Sequence, residues 1–219
     1  MNLKQEILVA VGILGLAAAV IFVMGKLRPE PLSVILQVPF SSQAPSGNWE
    51  NNEDCEETSI VMVNAFLTGN TENVLSGSAS QVAIDDLKKW EQENLGYNKD
   101  TGAEVTARLA RSFYDLQITQ IDNFSEQDLK QELAQGHPIL LPVNAGLLGS
   151  PKYRNVAPFY HMIVVRGYTN KGFIVNDPGT EDGNGNVYSF SILKKAAVDW
   201  NHDTMKMEPS IKTALVVSR

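Results

Sequence analysis

The chain has one cysteine and three histidines, and no block of basic residues. Each shortage removes a class of function. A single cysteine forbids an intramolecular disulfide and every metal or redox site of the Cys-x-x-Cys kind. Such a chain needs no oxidising compartment, and in one its thiol would face oxidation or intermolecular pairing. Eighteen Lys and Arg against 25 Asp and Glu leave a formal net charge of -7, which argues against nucleic acid and against tight binding to anionic headgroups. No internal repeat or low-complexity tract occurs. No two of Cys55, His137, His161, Asp177 and His202 share the close spacing of a structural zinc site. Asp182-Gly183-Asn184-Gly185-Asn186 alternates oxygen ligands as calcium loops do, but the twelfth position of an EF-hand loop, where glutamate belongs, is Leu193. A polar turn is the expectation there, and no metal or cofactor is expected anywhere.

One apolar run is present. Residues 7–24 carry no charge and are long enough to cross a bilayer as a helix, and membrane helices tolerate their glycines. Lys26, Arg28, Pro29 and Pro31 follow. The expectation is a transmembrane anchor with a short linker over 1–31 and one globular domain over 32–219, a length that suits a single domain with an appendage. A signal peptide cleaved near Ala17-x-Ala19 and a buried core helix are the alternatives.

Within the globular part, 32–40 reads as a strand ending at Pro39, and 41–53 as polar loop containing Gln43 and Trp49. A helix begins at Cys55, with Asp54 or Asn52 as its cap, and ends at Gly69-Asn70. Apolar residues at helical spacing then predict a helix through Val82, Ile84, Leu87 and Trp90 and another over 103–114. A third starts at Ser125, with Asp128 in a capping-box position. From 138 onward the pattern turns to strands: 138–143, with prolines suited to strand ends or an edge, then 161–168 and 172–177 as an antiparallel hairpin turning at Asn170. A short strand near 187–190, a helix led by Ser191 that runs to Trp200, and a last edge strand at 215–217 complete the pattern. Helices precede the main strands, an α+β arrangement.

The chemistry centres on Cys55. A thiol in the opening turn of a helix has its pKa lowered by unpaired amides and the helix dipole, and can attack a carbonyl. It needs an imidazole and a group that fixes the imidazole's tautomer. In a hairpin the start of one strand lies beside the end of the next, so His161 and Asp177 meet at one edge. Gln43 has a side-chain amide suited to an oxyanion. Trp49, Tyr153 and Tyr160 are candidates to line the cleft. Each residue also has a plainer reading: a buried small hydrophobe for Cys55, a strand-end histidine for His161, a turn residue for Asp177.

Val38-Pro39-Phe40, Gln43-Ala44-Pro45 with Gly47-Asn48-Trp49, and Asp54-Cys55-Glu56-Glu57 together resemble the C39-like cysteine peptidases. So do His161 opening a strand that runs to Gly167-Tyr168, and the turn Asn176-Asp177-Pro178-Gly179. The resemblance spans about 34–198. It implies a papain-like fold, helices packed on an antiparallel sheet, and relation to bacteriocin-processing peptidase domains. It also implies a peptide or protein substrate cleaved through a thioester, with Cys55 as nucleophile, His161 as general base and acid, Asp177 orienting the ring, and Gln43 with the Cys55 N–H holding the oxyanion. Acyl or peptidyl transfer and a non-catalytic peptide-binding module are the rival readings. No transporter membrane domain or ATPase motif is present. Many family members carry glycine after the cysteine. Here Glu56 and Glu57 follow, and two carboxylates beside a thiolate raise its pKa unless they point away. Local Lys and Arg counts favour a cytoplasmic domain, whereas the resemblance, with Lys4 inside, favours export.

Overall fold

The computed structural model describes residues 31–50, 52–153 and 160–219. The expected anchor over 7–24 lies outside the described residues. Among those described, no helix is long and apolar enough to cross a membrane. The fold below is that of the unit Leu32–Arg219.

In chain order the elements are β1 (Val34–Ile35), α1 (Cys55–Leu67), α2 (Gly77–Asn94), α3 (Ala103–Tyr114), β2 (Gln117–Asp122), α4 (Glu126–Ala134), β3 (Ile139–Asn144), α5 (Ala145–Leu148), β4 (Tyr160–Thr169), β5 (Gly172–Asn176), β6 (Asn186–Tyr188), α6 (Phe190–Ala196), β7 (Asp199–Asn201), β8 (Lys206–Glu208) and β9 (Thr213–Ser218). Seven strands form one antiparallel sheet in the order β2-β9-β3-β4-β5-β6, with β1 pairing to the far part of β4. β7 and β8 form a separate hairpin. This is the expected α+β class.

Strand alternation explains why the sheet is buried on both faces. Leu140, Met162, Val164, Leu215 and Val217 pack with Ile60, Met62, Ile84, Leu87 and Leu109 from the first three helices. Ile139, Leu141, Ile163, Val165 and Val216 pack on the other face with Leu129 and Leu133 of α4 and Leu193 of α6. The central strands therefore read as continuous apolar runs. On α2 the buried positions are Ser80, Ile84, Leu87 and Glu91, one helical stripe that ends in a carboxylate. Gly167 lets β1 approach, since a Cβ there would run into the Val34 carbonyl oxygen.

The helices over 55–67 and 103–114 stand where periodicity places them, and Ser125 and Asp128 complete the capping box, with Ser125 N–H donating to Asp128 Oδ2 at 2.7 Å. Several expectations are corrected. Strand β1 is only two residues long, and Val38 and Phe40 are buried in extended chain beyond it. Val82 is 62% exposed, not part of the buried stripe. Pro142 lies inside an interior strand: β9 pairs with Ile139 and Leu140, and beyond it Val198 N–H donates to the Pro142 carbonyl at 3.1 Å, a contact that does not use the absent proline N–H. β9 is interior, between β2 and β3, not an edge. Residues 145–148 are helical and β2 is an additional strand. The last helix starts after Ser189, whose hydroxyl accepts from Ile192 N–H at 3.3 Å, and Trp200 belongs to β7.

Candidate active site

Cys55 is the first residue of α1, and α1 lies against β4. Asp54 holds the N-cap position but its side chain does not cap the helix. Its carboxylate instead takes Lys88 Nζ at 2.6 Å and the Asn52 side-chain amide at 3.2 Å. Its carbonyl accepts from Thr58, hydroxyl and N–H, at 2.6 and 3.1 Å. A charged partner on α2 outcompetes the helix's own amides, so the start of α1 is tied to α2.

β5 stops at Asn176, opposite Val164. Two residues nearer the start of β4, the Met162 N–H donates to Cys55 Sγ at 3.3 Å. The sulfur is thus held against the residue that follows His161. The expected hairpin edge is present: His161 Nε2 lies 2.7 Å from Asp177 Oδ1. Both side chains are buried, His161 at 1% and Asp177 at 0%. Asp177 Oδ1 also accepts from Gly179 N–H at 3.0 Å, and Oδ2 from Tyr153 O–H at 2.9 Å. Burial alone would raise the Asp177 carboxyl, but His161 and these donors more than offset it and hold the carboxyl below its ordinary value. With Nε2 occupied by the carboxylate, Nδ1 is the ring nitrogen left for proton transfer.

The thiol itself is set differently from the expectation. Its hydrogen donates to Glu56 Oε2 at 2.9 Å. Among the described residues its hydrogen-bond partners are Glu56 and Met162, and the His161 ring is not one of them. Cys55 is 3% exposed. Burial first, then Glu56, Asp100 and Glu57, push the thiol well above its ordinary value. The two glutamates do not point away into solvent: both are 1% exposed.

Gln43 joins the two halves of the site. Its N–H donates to Pro178 O at 2.9 Å, beside Asp177. Its side-chain Nε2 donates to Asn52 Oδ1 at 2.9 Å and Asn52 O at 3.1 Å, and Asn52 Nδ2 returns a bond to Gln43 O at 2.9 Å. The amide expected at an oxyanion is therefore engaged with Asn52 in the resting arrangement, while Gln43 Oε1 is buried without a partner among the described residues. Of the cleft candidates, Tyr153 bonds the Asp177 carboxylate rather than standing free. Tyr160 donates to Thr101 O at 2.8 Å and packs on Trp200, ring centres 5.4 Å apart. Trp49 is half-buried and donates to Glu181 Oε1 at 3.3 Å.

Among the described residues, no group of three His, Cys, Asp or Glu side chains is arranged to hold a metal. The 182–186 turn is occupied by the protein's own cations. Lys152 Nζ donates to Asp182 O and Asn186 Oδ1, and Arg166 to Asn184 Oδ1. A cavity of about 450 Å³ lies at the opposite end of β4, lined by Lys130, Tyr168, Lys171, Phe173 and Phe190 among others, and holds none of the candidate catalytic residues.

A family profile, "Peptidase_C39 like family", matches residues 35–206, a span that contains Cys55, His161 and Asp177. The chain belongs to that family. Its fold is shared by a crystal structure of a protein described as a C39-like peptidase from Bacillus anthracis, 16% identical, covering 85% of this chain and 98% of that one with a TM-score of 0.56. The peptidase domain of Streptococcus ComA, a bi-functional ABC transporter involved in a quorum sensing pathway, aligns at 15% identity over 83% and 98% of the two chains, with a TM-score of 0.42. No curated protein matches. In this C39-like chain the residues that local sequence reasoning missed are Met162, whose backbone holds the sulfur, and Thr101 and Glu91, which face Glu56 and Glu57. None has a local signal. Each is found only when β4, α2 and the segment before α3 converge.

Proposed function

We propose that the chain is a cysteine peptidase that hydrolyses peptide bonds through a thioester. Family membership supports a peptidase, and the His161–Asp177 contact of 2.7 Å beside a Cys55 held by Met162 is the observation that carries the mechanism. Cys55 gives up its S–H proton to a neighbouring base and attacks the peptide carbonyl as the thiolate. The Cys55 N–H, in the first turn of α1, and the Gln43 amide, once turned from Asn52, receive the oxyanion. His161, protonated before acylation, gives its Nδ1 proton to the leaving amine and regains one from water as the acyl group is released, and Asp177 fixes the ring throughout. Replacing Cys55 with alanine is expected to lower turnover of a peptide library by about four orders of magnitude or more while leaving the circular dichroism spectrum intact. Unchanged cleavage by C55A rules the mechanism out.

The apolar run at 7–24 is read as a tether that places the domain at a membrane, on the extracytoplasmic side. Expression of the full chain and of residues 32–219 checks this. The first should sediment with membranes and be degraded by protease added to intact cells, and the second should remain in the supernatant of lysed cells.

A further inference from the structure

Glu56 touches the candidate nucleophile. Its Oε2 lies 2.9 Å from Sγ, and its Oε1 accepts the Thr101 N–H at 2.8 Å. Thr101 is itself pinned. Its carbonyl takes the Tyr160 hydroxyl at 2.8 Å, and its own hydroxyl lies 2.9 Å from Thr106 Oγ1. The carboxyl is held at both oxygens and is 1% exposed. The ionisable groups around it are Cys55 and Glu57 on α1, Glu91 on α2, Asp100 ahead of α3 and Tyr160 on β4. None of these can be a cation, and His161, which acts on Asp100, is already held by Asp177. Two negative charges 2.9 Å apart in such surroundings are strongly disfavoured, as in paired buried carboxylates.

We propose that Cys55 and Glu56 share one proton, and that Glu56 is a catalytic residue whose carboxyl takes the thiol proton so that the nucleophile exists as a thiolate beside a neutral acid. The proposal rests on the cysteine-peptidase reading. In the transfer the S–H bond breaks, an O–H bond forms at Oε2, and one negative charge moves from carboxylate to sulfur. The thiolate is then held by the Glu56 O–H and the Met162 N–H. During acylation a protonated His161 gives its proton to the leaving amine, and in hydrolysis it regains one from water. Glu56 keeps its proton through the cycle. Burial and the neighbouring acids raise the Glu56 carboxyl well above its ordinary value, as burial and Glu56 raise the thiol, so the pair holds on to its last proton. A neutral buried acid that donates to a developing anion has precedent in other enzymes.

The test follows Cys55 alkylation by iodoacetamide in the native full chain and in E56Q, from about pH 5 to 10. A shared proton gives the native thiol two rises in rate, separated by at least about two pH units. The first is the thiolate fraction of the pair and the second the loss of its last proton. E56Q, which keeps the shape and removes the paired site, should give a single rise between them. A native profile with one rise, coincident with that of E56Q, overturns the proposal. Should E56Q fail to fold, C55A provides the second reading. Removing the thiol must shift, by at least about one pH unit, the pH at which a protonated-carboxyl infrared band disappears; an unmoved band overturns the proposal. None of these readouts needs a substrate. Two rises in a chain that hydrolyses nothing keep the pair and remove the peptidase reading. One rise, alike in both proteins, removes the pair even where peptides are cleaved.

Discussion

Gly179 sits where any larger residue would press on the imidazole. A Cβ there would come within 2.9 Å of His161 Cε1, 3.0 Å of Nε2 and 3.2 Å of Tyr153 Cε1. The ring has little room to yield, because Asp177 holds Nε2 and its face meets Tyr153 edge-on, ring centres 6.2 Å apart. The expected outcome for G179A is a fall in kcat of about 10²-fold, the cost of a small misplacement of a catalytic group, with the melting temperature nearly unchanged. Steady-state kinetics on a cleavable peptide decide it, and a native kcat would mean that the ring is not confined there. His161 and Asp177 were legible before any coordinates, because a hairpin's register brings a strand start and a strand end together whatever surrounds them. Glu56 was not. Whether a side chain next to a cysteine turns outward or folds back depends on what waits on the far side, here the Thr101 N–H. Gln43 was legible as a candidate but not in its engagement, since Asn52 is nine residues away across an irregular loop.

The pair of helices behind Cys55 carries its own consequence. α1 presents Glu57 to Glu91 of α2, both buried. Among the described residues Glu57 Oε2 and both Glu91 oxygens meet no donor, and a proton on one of the two carboxyls is the donor that the contact lacks. Burial pushes Glu91 up to about 7, with Glu56 and Asp54 adding to it against the hydrogen bond with Glu57. A folded value above the unfolded one means that stability from this group is full below the ordinary carboxyl range and is lost as pH rises through about 7. In E91Q a permanent amide donor replaces the titrating acid. Its unfolding free energy at about pH 8 should exceed that of the native chain by about 1–3 kcal/mol, with the gap shrinking near pH 5. Urea melts at both pH values measure it, and a variant less stable at both would show that the two acids do not repel. At this scale α1, α3, α4 and the β4–β5 hairpin were readable, since each rests on local periodicity, a cap or a turn. Strand order was not: that β9 lies between β2 and β3, and that Trp200 pairs in β7, follow from pairings far apart in sequence. Buried carboxylates on an otherwise apolar stripe also mislead, because Glu91 reads as the solvent face of α2.

For the whole molecule, fold class and family were within reach of the sequence because an order of short motifs survives where overall identity does not. The acid balance was less informative. A formal charge of -7 suggests carboxylates on the surface, yet Glu56, Glu57 and Glu91 are all nearly inaccessible. Burial raises Glu56 and Glu57 well above the ordinary value, Glu91 to about 7 and Asp100 to about 6. In each the native state holds its proton to a higher pH than the unfolded chain. Between about pH 4.5 and 7 the native state binds more protons, so stability falls as pH rises, by about 1.4 kcal/mol per unit for each group in that condition. Asp177 works in the opposite sense. Its folded value is lowered, so its contribution is present above the ordinary aspartate range and is lost only as pH falls through the lowered value. The two effects bracket an optimum near pH 4–5, lower than the range where most proteins are most stable. Calorimetric melts at about pH 4.5, 6 and 8 should show the melting temperature declining in that order. A melting temperature that is flat or rising across that range would mean that these carboxyls are ionised in the native state, and the proton proposed between Cys55 and Glu56 would then have no protonated surroundings to support it.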